Sequence, residues 1–453
     1  MSNFRPIDRD TGFLLPPSVD EWLPQRHLAR FVVEVVDQLD LSAMEKAYRG
    51  SGSASYHPAM LLALLVYGYA TSVFSSRKIE CATHDSVAFR FISANQHPDH
   101  DTLATFRRRF LKDIEALFVE VLLLLAREMK LLQLGTVALD GTKLHANASR
   151  HSALSYGHAG KIEAQLKQEV AELLAQAEAA DTADLPDELS IPEEIARRET
   201  RLKTLGEAKA KIEARTQERF VREEAEYQAK LAAREEKIQR TGKPPRGKPP
   251  APPRAAPDPK DQVNLTDEDS RIMKVAGGGF EQCYNAQACV ATTSLLIVGS
   301  YVTQAGNDKE QVQPMLARTQ ALPESLGRVE RLLTDAGFTS TANIAACEQA
   351  GIEPFMAVGR EAHHPSWRSR FAEPAPLSRE ANPLEKMAHR LKTRAGRKLY
   401  ALRKQTPEPV FGIIKSVMGF RQFLLRGLEK ANGEWNLVTM SWNIRRMFAL
   451  QGT

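Results

Sequence analysis

Three carboxylates carry most of the chemistry that this sequence could do. Asp140 closes the apolar run Thr136-Val137-Ala138-Leu139 and is followed by Gly141, while Asp335 closes a run from Val329 and is followed by Ala336-Gly337. Taken singly, each reads as a turn residue after a strand, because Asp bonds nearby backbone and Gly accepts φ > 0 there. The third acid, Glu408, lies in Thr406-Pro407-Glu408-Pro409-Val410-Phe411-Gly412-Ile413-Ile414-Lys415. Two prolines are tolerated together only in a first helical turn, whose N–H groups lack intrahelical partners anyway. The segment therefore predicts a helix capped by Thr406, with Glu408 at its N-terminus and Lys415 two turns on, nearly on the same face. By themselves these two read as an acid complementing the helix dipole and a solvated lysine.

The stretch upstream changes that reading. From Lys386 to Pro407 the chain holds Lys386, Arg390, Lys392, Arg394, Arg397, Lys398, Arg403 and Lys404 and no acidic residue, which reads as a phosphate-binding surface leading into Glu408. Three hard oxygen donors with no His or Cys set suit Mg²⁺ or Mn²⁺ rather than zinc. Two such ions clamp the attacking and leaving oxygens of an in-line displacement at a phosphodiester. Together these features point to metal-dependent phosphoryl transfer on a nucleic acid.

The elements that must position these acids are legible from periodicity. Residues 19 to 134 read as almost wholly helical, with apolar residues at helical spacing in Leu28 to Leu39, Pro58 to Val73 and Leu103 to Leu132. Asp101 is the expected N-cap of the last of these, and the run Arg107-Arg108-Arg109 that follows spans too much helix surface for all three to face one partner. From Gly160 to about Gln239 composition shifts to Ala, Glu, Lys, Arg and Gln. This predicts a helical hairpin with stripes at Ile162, Leu166, Val170 and Leu173 and at Ile195, Leu202, Leu205 and Ile212, interrupted by Arg198 and Lys209. Its turn is expected at Asp181 to Ser190, with a Ser190–Glu193 capping box. Thr241 to Lys260, rich in proline and basic residues, reads as an exposed linker. Strand, strand, helix, strand, helix, strand then follow over Cys283–Thr292, Leu295–Thr303, Lys309–Gln320, Val329–Asp335, Thr341–Ala350 and Pro354–Val358. With Thr136–Asp140 they make an α/β sheet interrupted by the hairpin.

Composition bounds the rest. The chain has 453 residues, 43% hydrophobic and 26% charged, enough for ordinary cores and against wholesale disorder. Its longest apolar stretch, Ala59 to Ala70, is far short of the roughly 20 residues of a spanning helix, and the first residues lack the order of a secretion signal. A cytoplasmic protein is expected. Four cysteines (Cys81, Cys283, Cys289, Cys347) form no C-x-x-C pair, and Cys283 and Cys289 fall on one strand face as a buried thiol pair. A net charge of +5 permits a polyanionic partner without requiring one.

These residues also resemble a known family, the DDE transposases of bacterial insertion sequences, in the branch with a Tyr, Arg, Glu, Lys signature around the final acid. Tyr56-His57-Pro58 and Asp101-Thr102-Leu103 leading into Phe106-Arg107 are similar to its N-terminal domain, and Asp140-Gly141-Thr142-Lys143 with Ala146-Asn147-Ala148-Ser149 to its first-acid motif. Asp267 to Lys274 and Tyr284-Asn285-Ala286-Gln287 resemble the entry to its second strand. Asp335-Ala336-Gly337-Phe338 resembles the second-acid motif, and Glu408-Pro409-Val410-Phe411-Gly412 with Lys415 and Gly419-Phe420-Arg421 the third.

The resemblance implies an RNase H-like mixed sheet core, a helical N-terminal DNA-binding domain (1–134), a catalytic domain (135–159 and 261–453), an inserted helical hairpin (160–240) and a linker (241–260). It implies that Asp140, Asp335 and Glu408 hold two Mg²⁺ or Mn²⁺ ions, with Tyr400, Arg403 and Lys415 touching DNA. Two departures stand out. Four residues separate Arg403 from Glu408 where the signature has three, so either Lys404 takes the Arg place or the turn before Pro407 absorbs the extra residue; and Cys283 stands where glycine is expected. The implied activity is a transposase that binds double-stranded terminal inverted repeats, cuts at the element ends and joins the 3′-OH to target DNA, as a homodimer when pairing ends, in the bacterial nucleoid. Two other classes remain: an RNase H-like structure-specific nuclease, and a catalytically inactive DNA-binding or scaffold protein.

Overall fold

The computed structural model describes residues 18–48, 54–132, 134–179, 190–243, 247–359, 372–378 and 380–451. The chain divides into two compact units, one made of 1–147 with 273–453 and the other of 148–272.

In the first unit, helices α1 (Val19–Trp22), α2 (Leu28–Val36), α3 (Ser42–Lys46), α4 (Pro58–Ala70), α5 (Ser76–Asp85), α6 (Val87–Ile92), α7 (His100–Arg109) and α8 (Leu111–Leu124) precede the sheet. Helix α4 starts with Pro58 in its first turn and the His57 imidazole accepting from Ala59 N, and it is buried from Leu61 to Ala70. A helix apolar on every side belongs in a core. The helical run expected from Leu103 is broken at Phe110, where the backbone leaves helical geometry between α7 and α8. The cap of α7 is Asp99, whose carboxylate accepts from Thr102 N at 2.6 Å, and Asp101 sits in the first turn instead. A helix starts where a side chain can reach N2 or N3, and Asp99 is the acid with extended backbone there.

The sheet is mixed. Its strands are β1 (Gly135–His145), β4 (Arg271–Lys274), β5 (Phe280–Ala291), β6 (Ile297–Thr303), β7 (Val329–Thr334) and β8 (Glu353–Met356). They run in the order β4-β5-β1-β7-β8, with β6 also on β5. β5 is antiparallel to both β1 and β6, while β7 lies parallel to β1 and β8 parallel to β7. With α11 (Val312–Gln320) after β6 and α12 (Thr341–Gln349) after β7, this is an α/β, RNase H-like core behind a helical N-terminal region. Cys283 and Cys289, both in β5, are fully buried, and burial pushes their thiols up to about 11 and about 12.

Four helices close the unit: α13 (Pro383–Lys392), α14 (Arg394–Ala401), α15 (Pro407–Ser416) and α16 (Leu428–Leu450). α16 is buried along most of its length although it carries Asn, Thr and Ser. Those groups satisfy the free edge of β6: Asn443 Oδ1 accepts from Ile297 N at 2.9 Å, its Nδ2 donates to Ile297 O at 2.8 Å, and Asn432 Oδ1 accepts from Val302 N at 2.9 Å. The helix thereby covers an edge that would otherwise offer unpaired backbone groups.

Its Glu434, fully buried, joins distant segments. Tyr69 Oη donates to Glu434 Oε1 at 2.7 Å, Arg107 Nη1 donates to Tyr69 Oη at 3.0 Å, and Glu434 Oε2 accepts from Leu424 N and Leu425 N at 2.9 and 3.1 Å. Burial pushes the Glu434 carboxyl up and the Arg107 charge opposes it. Arg107 is thus an internal residue, and Arg109 lies over the Tyr48 and Phe110 rings.

The second unit holds β2 (Ala153–Ser155), α9 (Tyr156–Ala179), α10 (Ile191–Thr241) and β3 (Gln262–Asn264). β2 and β3 form an antiparallel ribbon. Leu166, Leu205, Ala208 and Ile212 pack with Leu154, Ala159 and Val263. Arg198 and Lys209 do not interrupt this hairpin; they bridge it, to Glu169 and Glu163, each at 2.7 Å. The crossed order of these pairs makes α9 and α10 antiparallel. Ser190 precedes α10 but makes no side-chain capping bond, so the expected box does not form; the turn before it, 181–189, lies outside the described residues. Gly242, at φ +65, ends α10 by donating its N–H to Ile238 O at 2.8 Å, the left-handed terminus glycine favours. Among the described residues no helix is long and apolar enough to cross a membrane.

Two outcomes follow. Glu434→Ala leaves Arg107 buried without its acid and should cost about 3–5 kcal/mol in urea unfolding, whereas Tyr69→Phe should cost about 1 kcal/mol. A chain joining Asn147 to Met273 through a short Gly-Ser linker should keep its near-UV circular dichroism; a molten spectrum would show that residues 148–272 are integral to the first unit.

Candidate active site

Asp140 does not end its strand. β5 pairs residue by residue with β1 from Val137 to His145, and beyond it Phe423 N donates to His145 O at 2.8 Å. Pairing to a strand more than a hundred residues away overrides the local turn signal of Asp-Gly, and Asp140 sits in mid-strand. Gly141 serves close approach and not a turn. A Cβ there would lie 2.3 Å from Gln287 Nε2, 2.7 Å from Asp308 Oδ1 and 2.9 Å from Asn285 Oδ1, distances no side chain sustains.

Asp335 follows β7, the parallel neighbour of β1, and its carboxylate accepts from Gly337 N at 2.8 Å at the start of the short 3₁₀ turn Ala336–Phe338. Glu408 lies in the first turn of α15, with Pro407 at the helix start. Thr406 precedes the helix without capping it, because its hydroxyl donates to Leu402 O at 2.7 Å. Lys415, seven residues on, is not a solvated surface lysine. Its Nζ donates to Thr142 Oγ1 and, at 3.2 Å, to Lys143 O, tying α15 to β1 beside Asp140.

Arg403 joins two of the acids. Its Nη1 stands 3.6 Å from Asp140 Oδ2 and its Nη2 donates to Glu408 Oε1 at 3.0 Å. Residues Leu402–Gln405 form a 3₁₀ turn, so the chain segment holding the extra residue lets Arg403 reach both carboxylates while Lys404 is exposed. The Asp140 side chain is 17% exposed. Burial, then the neighbouring charge of Asp335, push its carboxyl up to about 7, against the Gly141 N–H and Arg403. Burial lowers the Lys415 and Lys143 ammonium groups.

The remaining expected residues divide into two sets. Tyr400 packs over Ala138, Leu333 and Phe355, and its hydroxyl donates to Thr334 O at 3.2 Å. Arg390 donates to Pro354 O at 2.8 Å and lies 3.7 Å from Glu353; Arg397 donates to Ala372 O at 3.1 Å and lies 3.7 Å from Glu373. Lys392, Arg394 and Lys404 are exposed. The basic segment is therefore less uniformly unpaired than its own sequence implies, because its counter-charges come from acids outside it.

Asp308 was not anticipated. It accepts from Asn285 Nδ2 and Gln287 Nε2, both at 2.7 Å, and lies 3.7 Å from Lys143 Nζ. Two amides on one face of β5, Asn285 and Gln287, are the sequence signal of it, since buried amides must meet polar groups inside.

Among the described residues no three His, Cys, Asp or Glu side chains are gathered closely enough to hold a metal as they stand. The donor chemistry nevertheless fits a divalent ion. Asp140, Asp335 and Glu408 offer hard carboxylate oxygens, and burial together with the Asp335 charge pushes the Asp140 carboxyl up, a penalty that a bound cation would offset.

Two family models match the chain. A transposase domain (DUF772) matches residues 17–109, the helices from α1 to α7, and a transposase DDE domain matches residues 374–448, which include Tyr400, Arg403, Glu408 and Lys415. No curated protein and no solved structure matches the chain. Flanking an RNase H-like sheet as they do, these two matches support a DDE transposase of insertion-sequence type.

Proposed function

We propose that this transposase binds the terminal inverted repeats of its element, hydrolyses the phosphodiester at each end and joins the freed 3′-OH to target DNA. The observation that supports this reading most is the link through Arg403 between Asp140 on β1 and Glu408 on α15, with the Asp335 charge felt at Asp140. Asp335 thus acts on Asp140 through its charge, and Glu408 is tied to Asp140 through Arg403. Asp140, Asp335 and Glu408 are the residues that would hold two Mg²⁺ or Mn²⁺ ions. Such ions, when bound, supply Lewis acidity to the phosphodiester and to the attacking water.

The chain's own groups do the positioning. Lys415, anchored by Thr142 and the Lys143 carbonyl, keeps a third N–H for a phosphate oxygen. Tyr400, fixed through Thr334 O one residue before Asp335, forms one wall. Lys392, Arg394 and Lys404 offer exposed cations to the duplex backbone, with Arg390 and Arg397 shaping the surface behind them. In this reading residues 1–134 recognise the end sequence, 135–159 with 261–453 do the chemistry, the hairpin 160–240 pairs two copies across the ends, the linker 241–260 joins them, and the protein works in the cytoplasm on nucleoid DNA.

Losing one carboxylate should abolish cutting while sparing binding, since each supplies part of one charge cage. Asp140→Asn, Asp335→Asn and Glu408→Gln should each lower nicking of repeat-end DNA by at least about 10³-fold with gel-shift affinity nearly intact. Glu429→Gln, at an exposed surface ion pair with Lys112, should cut normally. Wild-type nicking in all three variants would overturn the proposed chemistry.

The Asp140 carboxyl also predicts a pH dependence of stability. Its folded value, about 7, exceeds the ordinary 3.8, so the protein is favoured with Asp140 protonated. That contribution is complete below the unfolded value and is lost as pH rises through about 7. In metal-free buffer Asp140→Asn should melt within error of wild type at low pH and higher by roughly 2–5 °C in mildly alkaline buffer. An offset that does not grow with pH would contradict it.

A further inference from the structure

Arg403 is in an unusual place for a residue whose charge is meant for DNA. Its side chain is only 12% exposed, and both terminal nitrogens face carboxylates of the site, 3.6 Å from Asp140 Oδ2 and 3.0 Å from Glu408 Oε1. Its Nε is buried without a hydrogen-bond partner, so the guanidinium leaves one donor unsatisfied in order to lie between the two acids. A buried donor without a partner costs free energy, and the attraction of two carboxylates offsets that cost. The arginine is carried by the 3₁₀ turn Leu402–Gln405, between α14 and α15. Hydrogen bonds in such a turn are poorer than those of an α-helix, and this is the one short segment separating two helices whose positions are fixed elsewhere, by Tyr400 on β7 and by Lys415 on β1.

We propose that Arg403 is the resident counter-ion of the Asp140–Glu408 pair, a positioning residue that a divalent ion must displace, and that displacement turns its guanidinium outward to a DNA phosphate. The inference rests on the reading that these acids hold the metal. Two cations do not share the same carboxylate oxygens at close range, so the ion and the arginine compete. A phosphate that draws Arg403 away leaves Asp140 and Glu408 facing each other without compensation, which raises their affinity for the ion. By linkage the converse holds: metal raises affinity for DNA by the same factor. Metal loading and phosphate capture are then one coupled step, with the Arg403 guanidinium competing against free ions at Asp140 and Glu408 until DNA arrives.

The test compares wild type with Arg403→Gln and Arg403→Lys, with no DNA, by titration calorimetry with Mn²⁺ and by thermal melting with and without it. Arg403→Gln should bind Mn²⁺ about tenfold more tightly, melt lower than wild type in chelator, and show a larger rise in melting temperature on adding Mn²⁺. Arg403→Lys, whose point charge cannot bridge two carboxylates, should fall between, and it carries the comparison if the Gln variant does not fold. An arginine that only held the fold together would lower stability without moving the Mn²⁺ isotherm. In a second arm, binding of a short random duplex is followed by fluorescence anisotropy with Ca²⁺ or chelator; the gain from Ca²⁺ seen in wild type should shrink in Arg403→Gln. Equal or weaker Mn²⁺ binding by Arg403→Gln overturns the counter-ion role while leaving the metal site standing. If neither wild type nor variant binds Mn²⁺, the metal reading of the acids fails and the inference goes with it.

Discussion

A carboxylate removed from solvent must find donors for both oxygens, and at Glu434 those donors come from segments far apart in the chain. One oxygen takes Tyr69 of α4, itself held by Arg107 of α7; the other takes the amides of Leu424 and Leu425. The segment bearing those amides is the one that lengthens β1, through His145 N to Arg421 O and Phe423 N to His145 O. The N-terminal helices, the final helix and the strand of the first acid are thereby fixed to one another by a single buried group. The two family-model matches, at 17–109 and 374–448, fall on the two sides of that network. The helices matched by the transposase-domain model are structurally part of what holds the strand of Asp140.

The acids themselves work in the opposite sense. Where Glu434 is satisfied internally, Asp140 is pushed up by burial and by the neighbouring charge of Asp335. Gly141 leaves room for Asp308, Asn285 and Gln287 against the strand, and Asp308 adds to the negative charge at Asp140, while the Gly141 N–H and Arg403 oppose it.

How much of this could be read beforehand depended on the range of the interaction responsible. The order of strands and helices after residue 280 followed from periodicity, which is a local property. Helix α15 also began where its two prolines required. The extension of β1 past Asp140 was hidden because its cause is pairing with β5; Asp99 takes the cap from Asp101, the Thr406 hydroxyl is engaged by Leu402 O, and Ser190 makes no side-chain capping bond. Arg198 and Lys209 looked like flaws in an apolar stripe until their partners on α9 were known. Likewise the buried state of Arg107 and the role of Asp308 are set by residues hundreds or tens of positions away. Asp140, Asp335, Glu408 and Arg403 were each singled out by the sequence, but the place of Arg403 between Asp140 and Glu408 was not, because it depends on the fold.

The β2–β3 ribbon bears on how such a chain can assemble. The antiparallel pairing of His145 with Cys283 has to close a long loop, and that closure loses chain entropy before any sheet contact compensates. If the ribbon and hairpin form first, pairing of Ala153 with Asn264 shortens the free contour between the strands to roughly a fifth, which by logarithmic scaling saves about 1.4 kcal/mol. An insertion that folds early would thus act as a clamp on its own ends, speeding the slowest long-range step of the sheet. That gives a kinetic reason for the ribbon to stand at the base of the hairpin, where the chain leaves the sheet and returns to it.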